Sequence, residues 1–330
     1  MTEKRPATIK DVARVAGVAQ GTVSKVINGI PVGDAYKTKV EAAIQKLNYR
    51  VNSYAKGLKL SKTLTVALII PNIYNAYFAL LAECVNKELS ARGYRMLLCT
   101  TDNSPDQERA LAGMMRPNQV DGVISLTYST AVHFPTGLPV IGIDRRYPDD
   151  IPCVCSDNYQ GGQLAAKKLV SLGCRRLVYL CTITSQETEV SKRRDGFCAV
   201  CAAEGYPAAV CEVIEPPEND LSEIYRFLDG HIRDGALDFD GIFCVSDALA
   251  YQVGAYLHSK GIRIPKDVQL IGFDGVRKFG YLDRYCSTIV QPVARIAATC
   301  VDLVLREDRS TVPSLLCLSV QYEPGGTTRE

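Results

Sequence analysis

The chain has 330 residues, of which 47% are hydrophobic, and its 38 Lys or Arg and 36 Asp or Glu leave a net charge of +2. This length allows a small domain and a body of about two larger domains with buried cores. No apolar run approaches the ~20 residues of a membrane span, and residues 1–11 lack the apolar centre of a signal peptide, so we expect neither membrane insertion nor export.

The stretch 8–28, TIKDVARVAGVAQGTVSKVIN, predicts two short helices joined by a tight turn. Thr8 precedes Asp11 by three residues, as in a capping box, and Gly17 stands where the first helix would end. Two helices with a short glycine-containing turn form a helix-turn-helix unit, whose second helix lies in the major groove of DNA. The pattern alone leaves open an ordinary helical hairpin within a larger core.

The distribution of charge favours the DNA-binding interpretation. Residues 1–62 carry 12 Lys or Arg against 4 Asp or Glu, a net of +8, whereas the remainder carries 26 against 32, a net of −6. A basic head on an acidic body is the pattern expected of a protein that contacts nucleic acid.

Residues 8–62 resemble the DNA-binding head of the lactose-repressor (LacI/GalR) family of bacterial transcription regulators. The resemblance rests on TIKDVA, AGV, TVSKVIN, the helix ending in Leu47-Asn48-Tyr49, and the segment from Asn52 to Leu60. It implies DNA contacts from Thr8, Gln20, Gly21, Thr22, Ser24, Lys25, Asn28, Tyr49, Asn52, Ala55, Lys56, Leu58 and Lys59. The chain departs from the family at Gly21, where a base-reading side chain is usual, and at Lys25, where Arg is common and reads guanine in a bidentate manner.

We assign residues 1–49 to the head, whose third helix is predicted over Asp34 to Leu47, and residues 50–62 to a hinge. Composition alone predicts a flexible linker there. The resemblance implies a helix that orders on specific DNA and inserts Leu58 into the minor groove, where an apolar wedge can unstack a base step. Gly57 lowers helix propensity by about 1 kcal/mol relative to Ala, which favours a hinge that is disordered off DNA.

From Leu64 onward, apolar strands alternate with helices, which predicts parallel sheets covered on both faces. There are too many strands for one compact sheet, so we expect two lobes. The order of segments resembles the family's periplasmic-binding-protein-like effector domain, an α/β fold in which the chain crosses between lobes three times. It implies an effector-binding and dimerisation domain over 63–330, with lobe 1 at about 63–158 plus 288–309 and lobe 2 at about 159–287 plus 310–330.

In such a fold the ligand binds between the lobes, at the carboxyl ends of strands. The candidate effector contacts are Asn72, Tyr77, Phe78, Arg145, Asp157, Arg193, Ser246, Asp247 and Asp274. For Tyr77 and Phe78 the alternative is core packing, and for Asp247 it is a helix cap. Aromatic, Arg and Asp side chains suit a sugar or sugar derivative, which the resemblance favours, and equally a nucleobase or nucleoside.

We expect no catalytic site, no cofactor and no metal site. The sequence has no G-x-S-x-G, H-E-x-x-H, P-loop or G-x-G-x-x-G motif. Its 13 cysteines suit free thiols in a reducing cytoplasm, and no second pair or nearby His completes a zinc set around Cys153-Val-Cys155 or Cys198-x-x-Cys201.

The sequence therefore predicts a cytoplasmic, ligand-responsive transcription regulator, expected to be a repressor. It would act as a homodimer or higher oligomer on a pseudo-palindromic double-stranded operator. The alternative of a transport solute-binding protein explains the body equally well, but it predicts a signal peptide in place of a basic helix-turn-helix. An enzyme on a two-lobed scaffold is a second alternative that fold alone leaves open.

Overall fold

A computed structural model of the chain describes residues 7–27, 29–49, 62–116, 119–127, 132–147, 151–183, 188–214, 220–276 and 286–330. The chain divides into two compact units, Met1–Thr63 and Leu64–Glu330. Where the first unit is described, its regular elements are helices, and the second unit contains the sheets.

The first unit contains the predicted helix-turn-helix. Its helices are α1 (Ile9–Ala16) and α2 (Gln20–Ile27), followed by α3 (Asp34–Lys46). Val12, Val23 and Val40 contribute one buried side chain from each helix to a shared core. Such a small core gives the unit little stability of its own, so the capping of each helix matters.

The ends of α1 and α3 follow the predicted signals. The backbone N–H of Thr8 donates to Asp11 Oδ2 at 3.0 Å, and Thr8 Oγ1 accepts from the Asp11 N–H at 3.4 Å, which completes a capping box. Gly17 ends α1 in the left-handed region, at a φ of 64°. Asn48 ends the third helix with a φ of 44°, as its sequence position predicted.

The second unit alternates strands and helices. Its strands are β1 (Thr65–Ile70), β2 (Arg95–Thr100), β3 (Gly122–Ser125), β4 (Val140–Ile143), β5 (Cys153–Ser156), β6 (Leu177–Ile183), β7 (Ala209–Ile214), β8 (Ile232–Arg233), β9 (Ala236–Leu237), β10 (Gly241–Cys244), β11 (Gln269–Asp274), β12 (Ser287–Val290), β13 (Leu315–Leu318) and β14 (Gln321–Glu323). Its helices are α4 (Ala76–Ala91), α5 (Pro105–Met114), α6 (Asn158–Ser171), α7 (Lys192–Ala203), α8 (Ser222–Asp229), α9 (Asp247–Ser259) and α10 (Val293–Val304), with a short 3-10 turn at Glu189–Ser191.

The first sheet has the order β13-β5-β4-β3-β1-β2, and all its strands are parallel. Strand β1 is buried on both faces, because Val66 and Leu68 pack with α4 and α10 while Ala67 and Ile69 belong to a second cluster on the other face. Continuous apolar sequence in β1 is therefore the signature of a doubly covered parallel strand. We call this sheet with α4, α5 and α10 the first lobe.

The second sheet has the order β14-β12-β11-β10-β6-β7, in which only β14 is antiparallel. Its core contains a chain of aromatic contacts through Tyr179, Phe197, Phe243 and Phe273, with ring centroids 5.2–6.4 Å apart. Phe273 ends this chain close to the carboxyl end of β11, where the guanidinium of Arg193 lies over its ring. We call this sheet with α6, α7, α8 and α9 the second lobe.

The chain crosses between the sheets three times, after β5, β12 and β13. Two of these crossings differ from the expected lobe boundaries. Strand β12 lies in the second sheet although residues 288–309 were expected in lobe 1, and β13 lies in the first sheet although 310–330 were expected in lobe 2. Hydrogen bonding assigns each strand to its sheet, since β12 pairs with β11 and β13 pairs with β5.

Two glycines allow α6 and α7 to approach each other very closely. A Cβ at Gly162 would overlap the carbonyl oxygen of Arg193, and a Cβ at Gly196 would overlap that of Tyr159. Each glycine thus faces the backbone of the opposite helix. The contact fixes the position of the first turn of α7 relative to α6.

Helix α8 ends at Asp229, and the residues after it form the β8-β9 hairpin around Asp234 and Gly235, which both have positive φ. In the described part of the chain, no helix has the length and apolar character that a membrane crossing requires.

Candidate functional site

A cavity of about 680 Å³ is lined by residues from both sheets. From the first lobe, Asn72, Thr127 and Asp144 follow β1, β3 and β4, and from the second lobe Ser246 follows β10 while Asp274 ends β11. The cavity thus lies at the carboxyl ends of parallel strands, where α/β folds bind their ligands. Its volume is in the range of small-molecule sites.

Most of the predicted effector residues line this cavity: Asn72, Tyr77, Phe78, Arg145, Arg193, Ser246, Asp247 and Asp274. Asp157 is not among the described lining residues. Its carboxylate instead accepts from the Gln160 N–H at 2.9 Å and caps α6. The contact of each of these residues with an effector stays a prediction.

Arg193 is the buried cation at the second-lobe side of the cavity. Its Nε donates to Asn158 Oδ1 at 2.7 Å, and its Nη1 donates to the Val245 carbonyl at 2.6 Å. The guanidinium lies over the ring of Phe273, and Nη1 of Arg193 is 3.9 Å from Asp274 Oδ1. These contacts hold the group rigidly, which reduces the entropy lost when a ligand binds to it.

Asp274 is a buried acceptor beside that cation. Its Oδ1 accepts from Gln291 Nε2 at 2.7 Å. Burial raises the pKa of Asp274 to about 7, although Arg193 and the hydrogen bond from Gln291 act in the opposite direction. The carboxyl therefore changes its protonation near neutral pH. Its backbone has a φ of 120°, a strained value for a residue with a Cβ, and such strain concentrates at functional sites.

Asp247 lines the cavity but is already engaged by the protein. Its Oδ2 accepts from the Gly275 and Val276 N–H groups at 2.9 and 3.2 Å, and its Oδ1 accepts from Thr288 Oγ1 at 2.6 Å. Burial and the nearby Asp274 raise the pKa of Asp247 well above the ordinary range. The helix cap considered for Asp247 belongs to Ser246, whose Oγ accepts from the Leu249 N–H at 3.2 Å.

Sequence reasoning missed several polar lining residues, of which Asp144 matters most. It directly follows β4, so the strand-end signal that identified Asp274 also applied to it. Its Oδ1 accepts from Asn158 Nδ2 at 3.4 Å, and burial raises its pKa while Arg193 lowers it. Other polar lining residues absent from the prediction are Tyr74, Asn75, Asn103, Thr127, Thr182, Thr188, Ser191, Arg194, Glu212, Tyr251, Gln252 and Gln291.

The first-lobe side of the cavity is aromatic. Tyr77 and Phe78 begin α4 and pack edge to face with centroids 5.7 Å apart. Both are buried in the first-lobe core and also line the cavity, so core packing is shown and a contact with an effector stays a prediction. The Tyr77 hydroxyl is buried and has no hydrogen-bond partner among the described residues. Burial raises its pKa well above the ordinary value, so the hydroxyl stays protonated and able to donate.

In the head, the described residues that are predicted to contact DNA differ in their exposure to solvent. Gln20, Gly21 and Lys25 are exposed on α2, and Thr22 and Ser24 are half-buried. A Cβ at Gly21 would meet no atom within 4 Å, so the surface there is open. These positions are consistent with α2 as the recognition helix, and their contacts with DNA stay predictions.

Two further candidates have structural roles in the head. Thr8 caps α1, and Tyr49 is half-buried against the head core while its N–H donates to the Ile44 carbonyl at 3.0 Å. The remaining candidates and most of the predicted hinge lie outside the described residues: Asn28, Asn52, Ala55, Lys56, Leu58 and Lys59.

A helix-turn-helix unit combined with a two-lobed α/β body that has a polar cavity between its sheets defines a ligand-controlled, DNA-binding regulator. Residues 8–52 match the family model of bacterial regulatory proteins, lacI family, and residues 63–307 match that of periplasmic binding proteins and the sugar binding domain of the LacI family. The chain belongs to the LacI family.

Its relatives include operon repressors. The chain is 32% identical over 318 residues to the sucrose operon repressor of Streptococcus mutans, covering 95% of this chain and 97% of that protein. It is 32% identical over 315 residues to the ribose operon repressor of Halalkalibacterium halodurans, covering 91% and 90%. A crystal structure of the lac repressor bound to ONPG in the repressed state has a TM-score of 0.81 at 21% identity, covering 98% of this chain and all of that chain, and it shares the fold.

Proposed function

We propose that this chain is a repressor whose operator affinity is set by a neutral, hydroxyl-rich sugar bound in the cavity. The observation that carries the proposal is that Arg193, its partner Asp274 and Tyr77 all line the cavity, and that the Tyr77 hydroxyl has no hydrogen-bond partner among the described residues. A sugar hydroxyl both donates and accepts, so it can satisfy a carboxylate and a guanidinium together. The names of the relatives, repressors of sucrose and ribose operons, support the same class of ligand.

The charge of the cavity supports a neutral ligand over a phosphorylated one. Among the described lining residues, Arg194 and Glu212 form an ion pair at 3.0 Å. The others that bear charge are the carboxyls Asp144, Asp247 and Asp274 and the guanidiniums of Arg145 and Arg193. A phosphate beside Arg193 would also lie near Asp274 and Asp144, and an ionised carboxyl there repels it strongly at low local dielectric.

We further infer a binding role and no catalysis. Three donors of the protein occupy the Asp247 carboxylate, and Arg193 is held by Asn158 and the Val245 carbonyl. A general acid or base needs instead to reach the substrate proton within hydrogen-bonding distance. The relatives are transcriptional repressors, which agrees with this inference.

The proposed mechanism is thermodynamic linkage. A ligand that contacts both lobes stabilises one arrangement of them, and it can alter DNA affinity only through its different affinity for the DNA-binding and non-binding states. We propose that the hinge at 50–62 transmits this change to two heads across a homodimer. The two heads would read a pseudo-palindromic operator, with the protein acting in the cytoplasm where the chromosome lies.

Exposed strand edges support self-association. The edge strand β2 exposes Leu97 and Leu98, and β7, the edge of the second sheet, exposes Ile214 and Val210. Apolar side chains on unpaired edges are unfavourable in a monomer and suit an isologous contact between identical subunits. We propose that these edges contribute to a dimer.

The test is a thermal-shift screen of the purified full chain against neutral sugars, sugar phosphates, nucleobases and nucleosides. Each hit is followed by operator binding at fixed salt, since affinity for DNA depends on salt. We expect a neutral sugar to raise the melting temperature and to change operator affinity. A nucleoside that does both would replace the sugar as ligand, and a ligand that stabilises the protein without changing DNA affinity would contradict the linkage.

A further inference from the structure

Two cysteines that are far apart in sequence meet at the edge of the first sheet. Cys155 on β5 and Cys317 on β13 are direct partners in the parallel register of these strands. Their sulfur atoms lie 3.4 Å apart. Cys155 is buried and Cys317 is exposed, so the pair is reachable from solvent on one side.

A buried carboxylate completes the group. The ligand atoms of Cys155, Cys317 and Glu189 all lie within 4.8 Å of one another. Glu189 is 5% exposed, and its carboxylate accepts from Arg146 Nε at 2.8 Å and from Lys192 Nζ at 2.6 Å. The two cations orient the carboxylate and leave its second lone pairs available.

We propose that Cys155, Cys317 and Glu189 form a binding site for a thiophilic divalent cation of the Zn²⁺ class. Zn–S bonds of about 2.3 Å in tetrahedral geometry separate two sulfur ligands by about 3.8 Å, within a few tenths of an ångström of the separation found here. Two thiolates select soft or borderline metals, and a carboxylate oxygen is a common third ligand of zinc with solvent as the fourth. This site departs from the expectation that the chain holds no metal.

The surrounding charges fit such an ion. Two thiolates and one carboxylate around a divalent cation leave a net charge of −1, which Arg146 and Lys192 offset from their positions against Glu189. A disulfide would use only the two sulfurs, whereas the carboxylate of Glu189 within the same reach adds a third ligand of the kind that zinc binds.

The site is separate from the effector cavity and joins the two lobes. Cys155 and Cys317 belong to the first sheet, whereas Glu189 lies on the second-lobe turn before α7, and its N–H donates to the Asp144 carbonyl at 3.2 Å. None of the three metal ligands is among the described cavity-lining residues, although Thr188 and Val190, on either side of Glu189, are. A bound ion would favour the arrangement of lobes in which its ligands meet, and would thereby act on the same equilibrium as an effector.

The test is a Cd²⁺ titration of the reduced, metal-free full chain under anaerobic conditions, followed by competition with Zn²⁺. We expect one tight equivalent per chain with sulfur-to-metal charge-transfer absorption, and displacement by Zn²⁺. Cys317→Ser and Glu189→Gln should each weaken binding by about tenfold or more, since loss of a ligand exceeds loss of an outer-shell partner. Cys84→Ser is the matched control, because this half-buried thiol lies on α4 outside the cluster.

Three results would overturn the proposal. The first is equal Cd²⁺ affinity in the wild type and Cys317→Ser, which would place the ion on other cysteines. The second is an absence of tight binding in the reduced protein. The third is equal affinity in the wild type and Glu189→Gln, since a two-cysteine site without the carboxylate is a different site. X-ray absorption at the zinc edge gives an independent readout, with two sulfur neighbours and at least one oxygen expected.

Discussion

The guanidinium of Arg193, which lines the cavity, lies 3.6 Å from the centroid of the Phe273 ring, at the end of the aromatic chain in the second-lobe core. A planar cation over a ring face is held by a cation–π interaction in addition to its hydrogen bonds. This arrangement connects the interior of the second lobe to the ligand site through a single side chain. It also makes the site sensitive to the shape of the cation as well as to its charge.

Arg193→Lys is therefore expected to weaken effector binding despite keeping the charge. Lysine loses the planar contact with the ring and cannot bond Asn158 and the Val245 carbonyl together. A loss of about 1.5–3 kcal/mol, roughly 10- to 150-fold in Kd, follows from the hydrogen bonds of a charged group. Calorimetric titration with the sugar found in the screen measures it. Arg176→Lys, at an exposed position outside the cavity lining, should leave the Kd unchanged.

Asp274→Asn is expected to change the pH dependence of stability. Because burial raises the pKa of Asp274 to about 7, the folded chain binds a proton more readily than the unfolded chain. The stability contributed in this way is fully present below the unfolded pKa of about 4 and is lost as pH rises through about 7. The melting temperature of Asp274→Asn relative to the wild type should therefore rise between about pH 5 and about pH 8. A difference that stays constant with pH would show that Asp274 titrates normally.

Lys25→Ala is expected to weaken operator binding by about 1–3 kcal/mol if Lys25 reads a base, and to reduce the salt slope by about one if it contacts a phosphate. Effector affinity should not change, because Lys25 is an exposed residue of the head unit. Fluorescence anisotropy with operator and with unrelated DNA, at several salt concentrations, separates the two cases. Lys46→Ala, an exposed lysine on α3 outside the predicted contacts, is the control, and an equal loss in both variants would indicate a general charge effect.

Thr8→Val is expected to destabilise the head by about 1 kcal/mol, because it removes the side-chain acceptor of the capping box. The same hydroxyl donates to Asp11 Oδ2 at 2.7 Å, so the aspartate loses one of its partners as well. Hydrogen exchange of the α1 amides in the full chain, followed by mass spectrometry, should become faster. Thr8→Ser keeps the hydroxyl and should exchange like the wild type. Identical exchange in Thr8→Val and wild type would mean that tertiary contacts alone hold this end of the helix.

The sequence was sufficient for most helices and strands and for eight of the residues that line the cavity, because these depend on local signals. Capping residues, glycines in turns and apolar strands predicted the head and the two sheets, and residues that follow strands were expected at the cavity. Asp157 shows the limit of this reasoning. An aspartate after a strand and before a helix has the same sequence context whether it binds a ligand or caps the helix, and here it caps α6.

Features that depend on long-range pairing could not be predicted in this way. Nothing local assigns β13 to the first sheet, since that choice depends on hydrogen bonds to a strand about 160 residues earlier. The same pairing brings Cys317 to Cys155, which sequence spacing alone leaves as unrelated thiols. The choice between Ser246 and Asp247 as the cap of α9 likewise depends on the three partners of Asp247, two from the turn after β11 and one from β12.

The close approach of α6 and α7 has a consequence for how ligand preference can change in this protein. Arg193 lies in the first turn of α7, one helical turn before Gly196, whose missing side chain permits the contact with Tyr159. A methyl group at position 196 would push the two helices apart and carry the guanidinium with α7, although Gly196 is not among the described residues that line the cavity. Residues that no ligand touches can thus retune recognition, so new ligand preferences can arise by substitutions in the packing between helices while every contacting side chain is retained.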